Sequence, residues 1–267
     1  MYNPLMPRKG AAAALFFTLC VWSSAARADP PWVWRDLVTP RGEVAFDVGG
    51  GLAHIPDPQG GTGFGFNLEL KAGIAPHLEL GIRTGIRADI IGQAARADNY
   101  ARPFDTETFG TNADAVANPE LHLKWAVARG PAAELGLELA AYLPIENNSR
   151  FGFMFALPLA LHANSIRVDS GLYVPIIFTD PHTDWTLSIP IQLWIQATRT
   201  FWLGPVFAMN FVHLYGVEYN QFPFGFGLGN TIAPNVDLRA WFLFPDINAD
   251  QAARTFGAGL AFEFRFG

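Results

Sequence analysis

The sequence predicts an all-β fold: a transmembrane antiparallel up-and-down β-barrel of about 12 strands, with 10 or 14 strands as the alternatives. From Glu43 onward, apolar residues alternate with polar or small residues at a period of two, which is the strand period. Half of the residues are apolar and 23 are Phe, yet no apolar run after the first thirty residues approaches the length of a membrane helix. Only helices and closed barrels satisfy the backbone inside a bilayer, so these observations together favour a barrel.

The first 28 residues have the layout of a cleavable secretory signal. Arg8 and Lys9 precede an apolar stretch over residues 11–22 and a small-x-small cleavage motif over residues 26–28. The apolar stretch is too short to span a bilayer as a helix, which needs about 20 residues. We therefore predict a signal peptide over residues 1–28, with an uncleaved N-terminal anchor as the alternative.

Cysteine content and charge exclude several classes of function. Cys20 is the only cysteine and lies inside the predicted signal, so the mature chain would have neither a disulfide nor a thiolate metal site. Removal of the signal takes away three bases and no acid, which changes the formal charge from −6 to −9. A negative charge of this size argues against nucleic acid as a partner. No cofactor is predicted.

Twelve segments carry the strand periodicity, and most of them are long enough for a tilted strand to cross the hydrocarbon layer of a membrane. In residues 78–83, for example, the leucines and the isoleucine fall on one face, with Glu79 and Arg83 on the other. The predicted strands cover residues 42–54, 62–74, 78–89, 118–128, 133–144, 150–162, 165–178, 185–197, 200–213, 220–232, 236–245 and 254–266. Together they define a barrel domain over residues 42–267.

Short turns and longer loops alternate between these strands, which is the usual arrangement of transmembrane barrels. The short turns lie at residues 75–77, 129–131, 162–164, 198–199 and 233–235, and the longest loop covers residues 90–117. An even number of strands puts both termini on the short-turn side. Residues 29–41, which precede the first strand, are predicted to be a short lead-in segment on that side.

The last predicted strand alternates aromatic or leucine residues with small or charged ones: Leu260, Phe262, Phe264 and Phe266 share one face. This ending resembles the C-terminal strand by which outer-membrane barrels of Gram-negative bacteria are recognised for assembly, although here Gly267 follows the final aromatic residue. The resemblance is one of pattern over the whole mature chain, and it names no narrower family. It implies an outer-membrane location, periplasmic termini, and contacts with outer-membrane lipid and the barrel-assembly machinery.

Parity along the strands separates a lipid face from a lumen face. The lipid face carries almost no charge, as expected because a Lys or Arg facing the mid-bilayer costs about 2–4 kcal/mol. The lumen face carries a charged network, which either ties the wall together or screens permeating solutes. The predicted network consists of Glu79, Arg83, Arg87, Glu120, Lys124, Glu134, Glu138, Arg167, Asp169, Asp237, Arg239, Glu263 and Arg265. The same face also carries Glu43, Asp47, Glu69, Lys71 and His122.

Toward the long loops, the inward positions become small, apolar or aromatic. The predicted outer vestibule consists of Tyr142, Met154, Tyr173, Trp194 and Trp202. Such a vestibule either accepts a hydrophobic or aromatic molecule or simply fills a barrel of intermediate size.

No catalytic, cofactor or metal site is predicted. His213 has no serine within a few residues, and the acids that flank His182 belong to one short loop that reads better as a solvated turn. The leading hypothesis is an outer-membrane channel or passive transporter for a small solute, with hydrophobic solutes among the candidates, and not an enzyme. The alternatives are a plugged structural or accessory barrel and, more remotely, an outer-membrane lipid hydrolase.

Overall fold

The chain forms a closed β-barrel. The computed structural model describes residues 30–54, 62–87, 119–145, 150–178, 183–214, 216–248, 254 and 256–267. The strands within these residues are β1 (Val44–His54), β2 (Thr62–Ala75), β3 (Leu78–Arg87), β4 (Glu120–Arg129), β5 (Ala133–Tyr142), β6 (Gly152–Ala163), β7 (Ile166–Phe178), β8 (Thr183–Gln196), β9 (Phe201–Leu214), β10 (Val217–Gln221), β11 (Phe224–Ala233), β12 (Val236–Phe244) and β13 (Phe256–Phe266). Among the described residues, no helix has the length and apolar character needed to cross a membrane.

All neighbouring strands are antiparallel, and the sheet closes on itself. Pairing follows the chain from β1 to β9, continues from β9 to β11, and then follows the chain to β13. The last strand pairs with the first along its whole length, from Val44 opposite Phe266 to His54 opposite Phe256. This pairing closes the main sheet on itself, as a membrane barrel requires.

Two short strands share one position in the wall. β10 pairs with the loop end of β9, and β11 pairs with the rest of β9. Pro223, which lies between them, has no N–H to give to the ladder, and its carbonyl accepts a hydrogen bond from the backbone N of Ala208 at 3.1 Å. The prediction of a twelve-strand barrel is confirmed, with β10 as an extra strand that the predicted segment 220–232 does not separate from β11.

Burial alternates along the strands as the sequence pattern predicts. In β5, Glu134 and Glu138 are buried, whereas Leu135 and Leu139 are exposed. The outward face is therefore apolar and the inward face holds the charge, which is the reverse of a water-soluble sandwich.

Residues 30–41, hereafter the N-terminal segment, lie inside the short-turn end of the barrel. They begin with a 3-10 turn over Trp32–Trp34 and end at Arg41, which forms a parallel bridge with Gly73 of β2. Val33 and Val38 are buried, so the segment is packed against the wall. The sequence predicts only a lead-in on this side of the barrel, because these residues have no strand periodicity. The predicted signal over residues 1–28 lies outside the described residues.

Candidate functional site in the barrel lumen

The lumen contains a cavity of about 210 Å³. Residues from β1 to β9 and from β11 to β13 line it, so the whole circumference of the wall contributes. The side chains on the two sides of this cavity differ in character. We call the inward faces of β1 to β5, β12 and β13 the charged half-wall, and those of β6 to β9 and β11 the neutral half-wall.

On the charged half-wall, ion pairs join neighbouring strands. Arg83 of β3 donates a hydrogen bond to Glu120 of β4 at 2.6 Å. The Nζ of Lys71 on β2 lies 2.7 Å from a carboxylate oxygen of Asp47 on β1 and 3.2 Å from one of Glu263 on β13. Because a buried charge without a partner is costly, this cross-strand pairing is what allows so much charge inside the wall.

The pairing continues on both sides of these residues. Lys124 lies 3.3 Å from Glu79, with their Cα positions opposite each other in the ladder between β3 and β4. Arg265 contacts Asp237 at 2.5 Å and Glu263 at 3.1 Å. The predicted charged residues are thus brought together as a network of pairs; whether that network screens a solute stays a prediction.

Four predicted members of the network stand apart from this cluster. Glu134 forms an ion pair with Arg129 near a short turn, with 3.2 Å between its Oε2 and the Nε of Arg129. Arg167 and Asp169 pair with each other at 2.8 Å on β7, in the neutral half-wall. Arg87 is the last residue of β3, and its side chain lies outside the described part of the structure.

The neutral half-wall is held by uncharged contacts. Ser188 of β8 donates a hydrogen bond to the amide oxygen of Asn210 on β9 at 2.7 Å, and both residues are buried. Met154 and Tyr173 pack with small and apolar neighbours in one buried cluster, which Tyr142 at the end of β5 joins from the charged half-wall.

The predicted position of Trp194 and Trp202 is wrong. β8 runs from a long loop to a short turn, so Trp194, two residues before its end, lies on the short-turn side. Trp202, the second residue of β9, lies there for the same reason. Both are buried in a cluster with Val33 and Val206, and therefore belong with the N-terminal segment instead of an outer vestibule.

Aromatic contacts hold the N-terminal segment to the neutral half-wall. The ring of Trp32 stacks on that of Trp202, with centroids 5.0 Å apart and planes 6° apart. Its edge meets Trp194 at 5.4 Å, and the guanidinium carbon of Arg167 lies 5.0 Å from the ring centroid. Large apolar rings with a cation over one face make a firm anchor.

Polar contacts hold the same segment to the charged half-wall. Arg35 forms an ion pair with Asp237 and has Glu263 at 3.7 Å. The backbone N and the hydroxyl of Thr39 both donate to Oε2 of Glu79, at 2.7 and 2.6 Å. The segment therefore bridges the lumen from one half-wall to the other.

Gly73 makes room for this segment. Its backbone N donates to the carbonyl of Glu43 at 3.0 Å, and its carbonyl accepts from the N of Gly42 at 2.8 Å. A Cβ at this position would collide with the backbone of Thr39 and Pro40. Only glycine lets these two backbone segments approach each other this closely.

A second cavity, of about 280 Å³, lies between the N-terminal segment and the short-turn end of the wall. Six described residues line both this cavity and the lumen cavity: Trp32, Leu37, Lys71, Lys124, Arg167 and Arg239. We call these six residues the constriction, since they line both neighbouring cavities. Two come from the N-terminal segment and are apolar, and the other four are bases of the wall.

Sequence reasoning missed the part of the site that comes from the N-terminal segment. Trp32, Arg35 and Thr39 carry no strand periodicity, and nothing in the sequence says that they fold back into the barrel. One signal was available: two tryptophans within three residues, at positions 32 and 34, are unusual for a segment exposed to water.

Of the two histidines weighed for catalysis or metal binding, the structure describes His213, which lies away from this site. His213 stacks on Trp185 at 5.7 Å, and its Nδ1 lies 3.5 Å from the exposed Glu218. His182 and the loop over residues 90–117 lie outside the described residues.

Three solved structures share this fold at very low sequence identity. An outer-membrane channel from Pseudomonas putida F1 has a TM-score of 0.58 and 11% identity, with 90% of this chain and 100% of that chain covered. The NanC porin has a TM-score of 0.56 and 8% identity, covering 82% and 98% of the two chains. The KdgM porin has a TM-score of 0.56 and 8% identity, covering 84% and 99%.

No protein-family model matches the chain, and no curated protein matches it by sequence. At these identities the likeness concerns the fold, which is that of outer-membrane porins and channels. The predicted resemblance to outer-membrane barrels is confirmed at that level.

Proposed function

We propose that this protein is an outer-membrane channel for a small solute, and not an enzyme. The observation that carries the proposal is the pair of neighbouring cavities that share the six residues of the constriction. Together they cover the lumen from the middle of the barrel to its short-turn end. A water-accessible lumen along the barrel axis is what a diffusion channel needs.

The location follows from the same proposal. The apolar outward face suits lipid, and a twelve-strand barrel with short turns next to both termini suits an exported protein whose termini are periplasmic. Export by a cleaved signal over residues 1–28 and insertion by the barrel-assembly machinery complete this proposal.

The lumen favours a small solute with both a polar and an apolar part. Charged side chains border one side of the cavity, and Trp194, Trp202 and Tyr173 border the other. A purely hydrophobic solute would displace water from the ion pairs of the charged half-wall without offering them a hydrogen bond, so a molecule with at least one polar group fits better.

A specific observation favours a second candidate, the plugged structural barrel. The N-terminal segment is hydrogen-bonded to β3, β8 and β12 and stacked on β9. If these contacts never break, the short-turn end stays closed and the barrel serves as a scaffold.

Conductance of the full mature chain in planar bilayers separates the two candidates. The channel proposal expects discrete current steps, and Trp32→Ala, which removes the largest apolar side chain of the constriction, is expected to increase their size. Trp34→Ala is the matched control, because Trp34 belongs to the same 3-10 turn but does not line the lumen cavity. Absence of current from the full chain, together with no solute uptake into protein-containing vesicles, would refute the channel and favour the scaffold.

A further inference from the structure

We propose that Glu120, His122 and Glu138 bind one divalent transition-metal ion in the charged half-wall. All three residues are buried, and each offers a ligand atom that lies within 4.8 Å of the other two. One imidazole nitrogen and two carboxylate oxygens form a ligand set that suits Zn²⁺ and its neighbours better than Ca²⁺ or Mg²⁺, which prefer oxygen ligands alone.

The strand geometry brings these three side chains together. Glu120 and His122 are two residues apart on β4, so both point into the lumen. Glu138 of β5 stands opposite Lys124, which makes it the diagonal neighbour of His122 in the ladder. Side chains at diagonal positions of an antiparallel pair are within reach of each other.

His122 supplies an independent observation. It is 1% exposed, and in the part of the chain that the structure describes neither ring nitrogen makes a hydrogen bond. The nearest carboxylate oxygens, from Glu79 and Glu120, are each 3.6 Å from a ring nitrogen, which is too long for a hydrogen bond. Burying an imidazole whose nitrogens make no hydrogen bond costs free energy. A metal ion held between the ring and the carboxylates would give a ring nitrogen a partner.

The wall is built to hold the imidazole ring in this position. Gly81 of β3 stands directly opposite His122, and a Cβ there would collide with the ring. The ring therefore lies over a position without a side chain, with its Nε2 3.8 Å from an oxygen of Glu69 on β2. Glycine in a strand often marks such a close approach.

Arg83 and His122 face different oxygens of Glu120. Arg83 binds Oε2 of Glu120, whereas the other oxygen, Oε1, is the one that faces Nδ1 of His122. Glu138 also lines the lumen cavity, so a water molecule or a solute can complete the coordination from that side. Arg83 and Lys124 lower the affinity by repulsion, but they also orient Glu120 and Glu79, as the outer partners of metal ligands usually do.

The test is metal binding by the folded, detergent-solubilised mature chain without a histidine tag. We expect calorimetry with Zn²⁺ to give one ion per barrel, and His122→Gln and Glu138→Gln to weaken binding at least tenfold. His162→Gln and Asp169→Asn are the matched controls, because they change another buried histidine and another lumen carboxylate and should leave Zn²⁺ affinity unchanged.

X-ray absorption at the zinc edge of the unmodified protein gives a second readout that needs no variant. One imidazole nitrogen among oxygen ligands is expected. The proposal is overturned if the protein retains no Zn²⁺, if the ion has oxygen ligands only, or if His122→Gln binds as tightly as the unmodified chain. Since binding is measured without any current, its failure is distinct from failure of the proposed channel.

Discussion

The charged and neutral half-walls share one barrel and one hydrogen-bonding pattern, yet different interactions fill them. In the charged half-wall, each charged side chain needs a partner of opposite sign, as Lys71 needs Asp47 and Glu263. In the neutral half-wall, side chains such as Trp202 and Val206 pack by shape. The difference teaches that charged side chains in a lumen can be occupied with one another. Ion pairs fix the side chains of the charged half-wall. In the neutral half-wall, the size of a packing side chain can change without leaving a charge unpaired.

The strongest test of this comparison is Asp237→Ala in the charged half-wall. Asp237 is 1% exposed and holds both Arg35 and Arg265. Its loss leaves one buried and one half-buried guanidinium group short of an acceptor, and we expect the free energy of unfolding to fall by about 3–5 kcal/mol. Urea unfolding in lipid vesicles measures the change. Asp237→Asn keeps the shape and a hydrogen-bond acceptor, so it should lower the unfolding free energy less. A loss below about 1 kcal/mol in Asp237→Ala would show that ion pairs do not stabilise the charged half-wall.

Trp202→Ala tests the neutral half-wall. Trp202 is 1% exposed and stacks on Trp32, so truncation leaves a cavity and removes an anchor of the N-terminal segment. We expect the unfolding free energy to fall by about 3 kcal/mol. Trp202→Phe keeps part of the packing and is expected to recover part of the loss. Equal stability of Trp202→Ala and the unmodified chain would contradict packing by shape on this side.

Ser188→Ala removes a single neutral hydrogen bond from the same half. Ser188 donates to Asn210 at 2.7 Å, and both residues are buried. The expected loss is about 1 kcal/mol, the usual net value of such a bond. The same urea titration measures it, and removal of both partners in Ser188→Ala/Asn210→Leu should restore part of the stability.

Lys124→Gln tests whether the charged half-wall also determines which ions pass through the lumen. Lys124 belongs to the constriction and pairs with Glu79 at 3.3 Å. Removing this positive charge should shift the reversal potential in a KCl gradient toward cation preference, by a factor on the order of two to five in permeability ratio, which corresponds to about 0.5–1 kcal/mol. Gln192→Ala, which alters a neutral lining residue, is the control. An unchanged reversal potential would mean that this network is structural only.

The sequence predicts the barrel and its two faces because each depends only on local alternation. Glu138 inside and Leu139 outside follow from parity alone, and so does the fold. Which charges pair does not follow, because the register between strands decides it: Lys124 meets Glu79 only through the pairing of β3 with β4. Trp194 is misplaced for a related reason, since its depth depends on where β8 begins and ends.

The position of a segment that has no strand periodicity is harder still to predict from the sequence. Nothing around Arg35 in the sequence indicates that it meets Asp237, 202 residues away. Pro223 is a contrasting case, because the sequence alone shows that it lacks a backbone N–H. That this residue divides β10 from β11 becomes clear only from the pairing of both strands with β9.

The N-terminal segment spans the seam at which the barrel closes. Arg35 holds β12 and is near β13, Thr39 holds β3, and the seam between β13 and β1 lies between these anchors. Because β12 and β3 lie on opposite sides of this seam, the segment can hold both at once only when β13 is paired with β1. We therefore expect protease to cleave the segment while the barrel is open and to spare it once the barrel has closed.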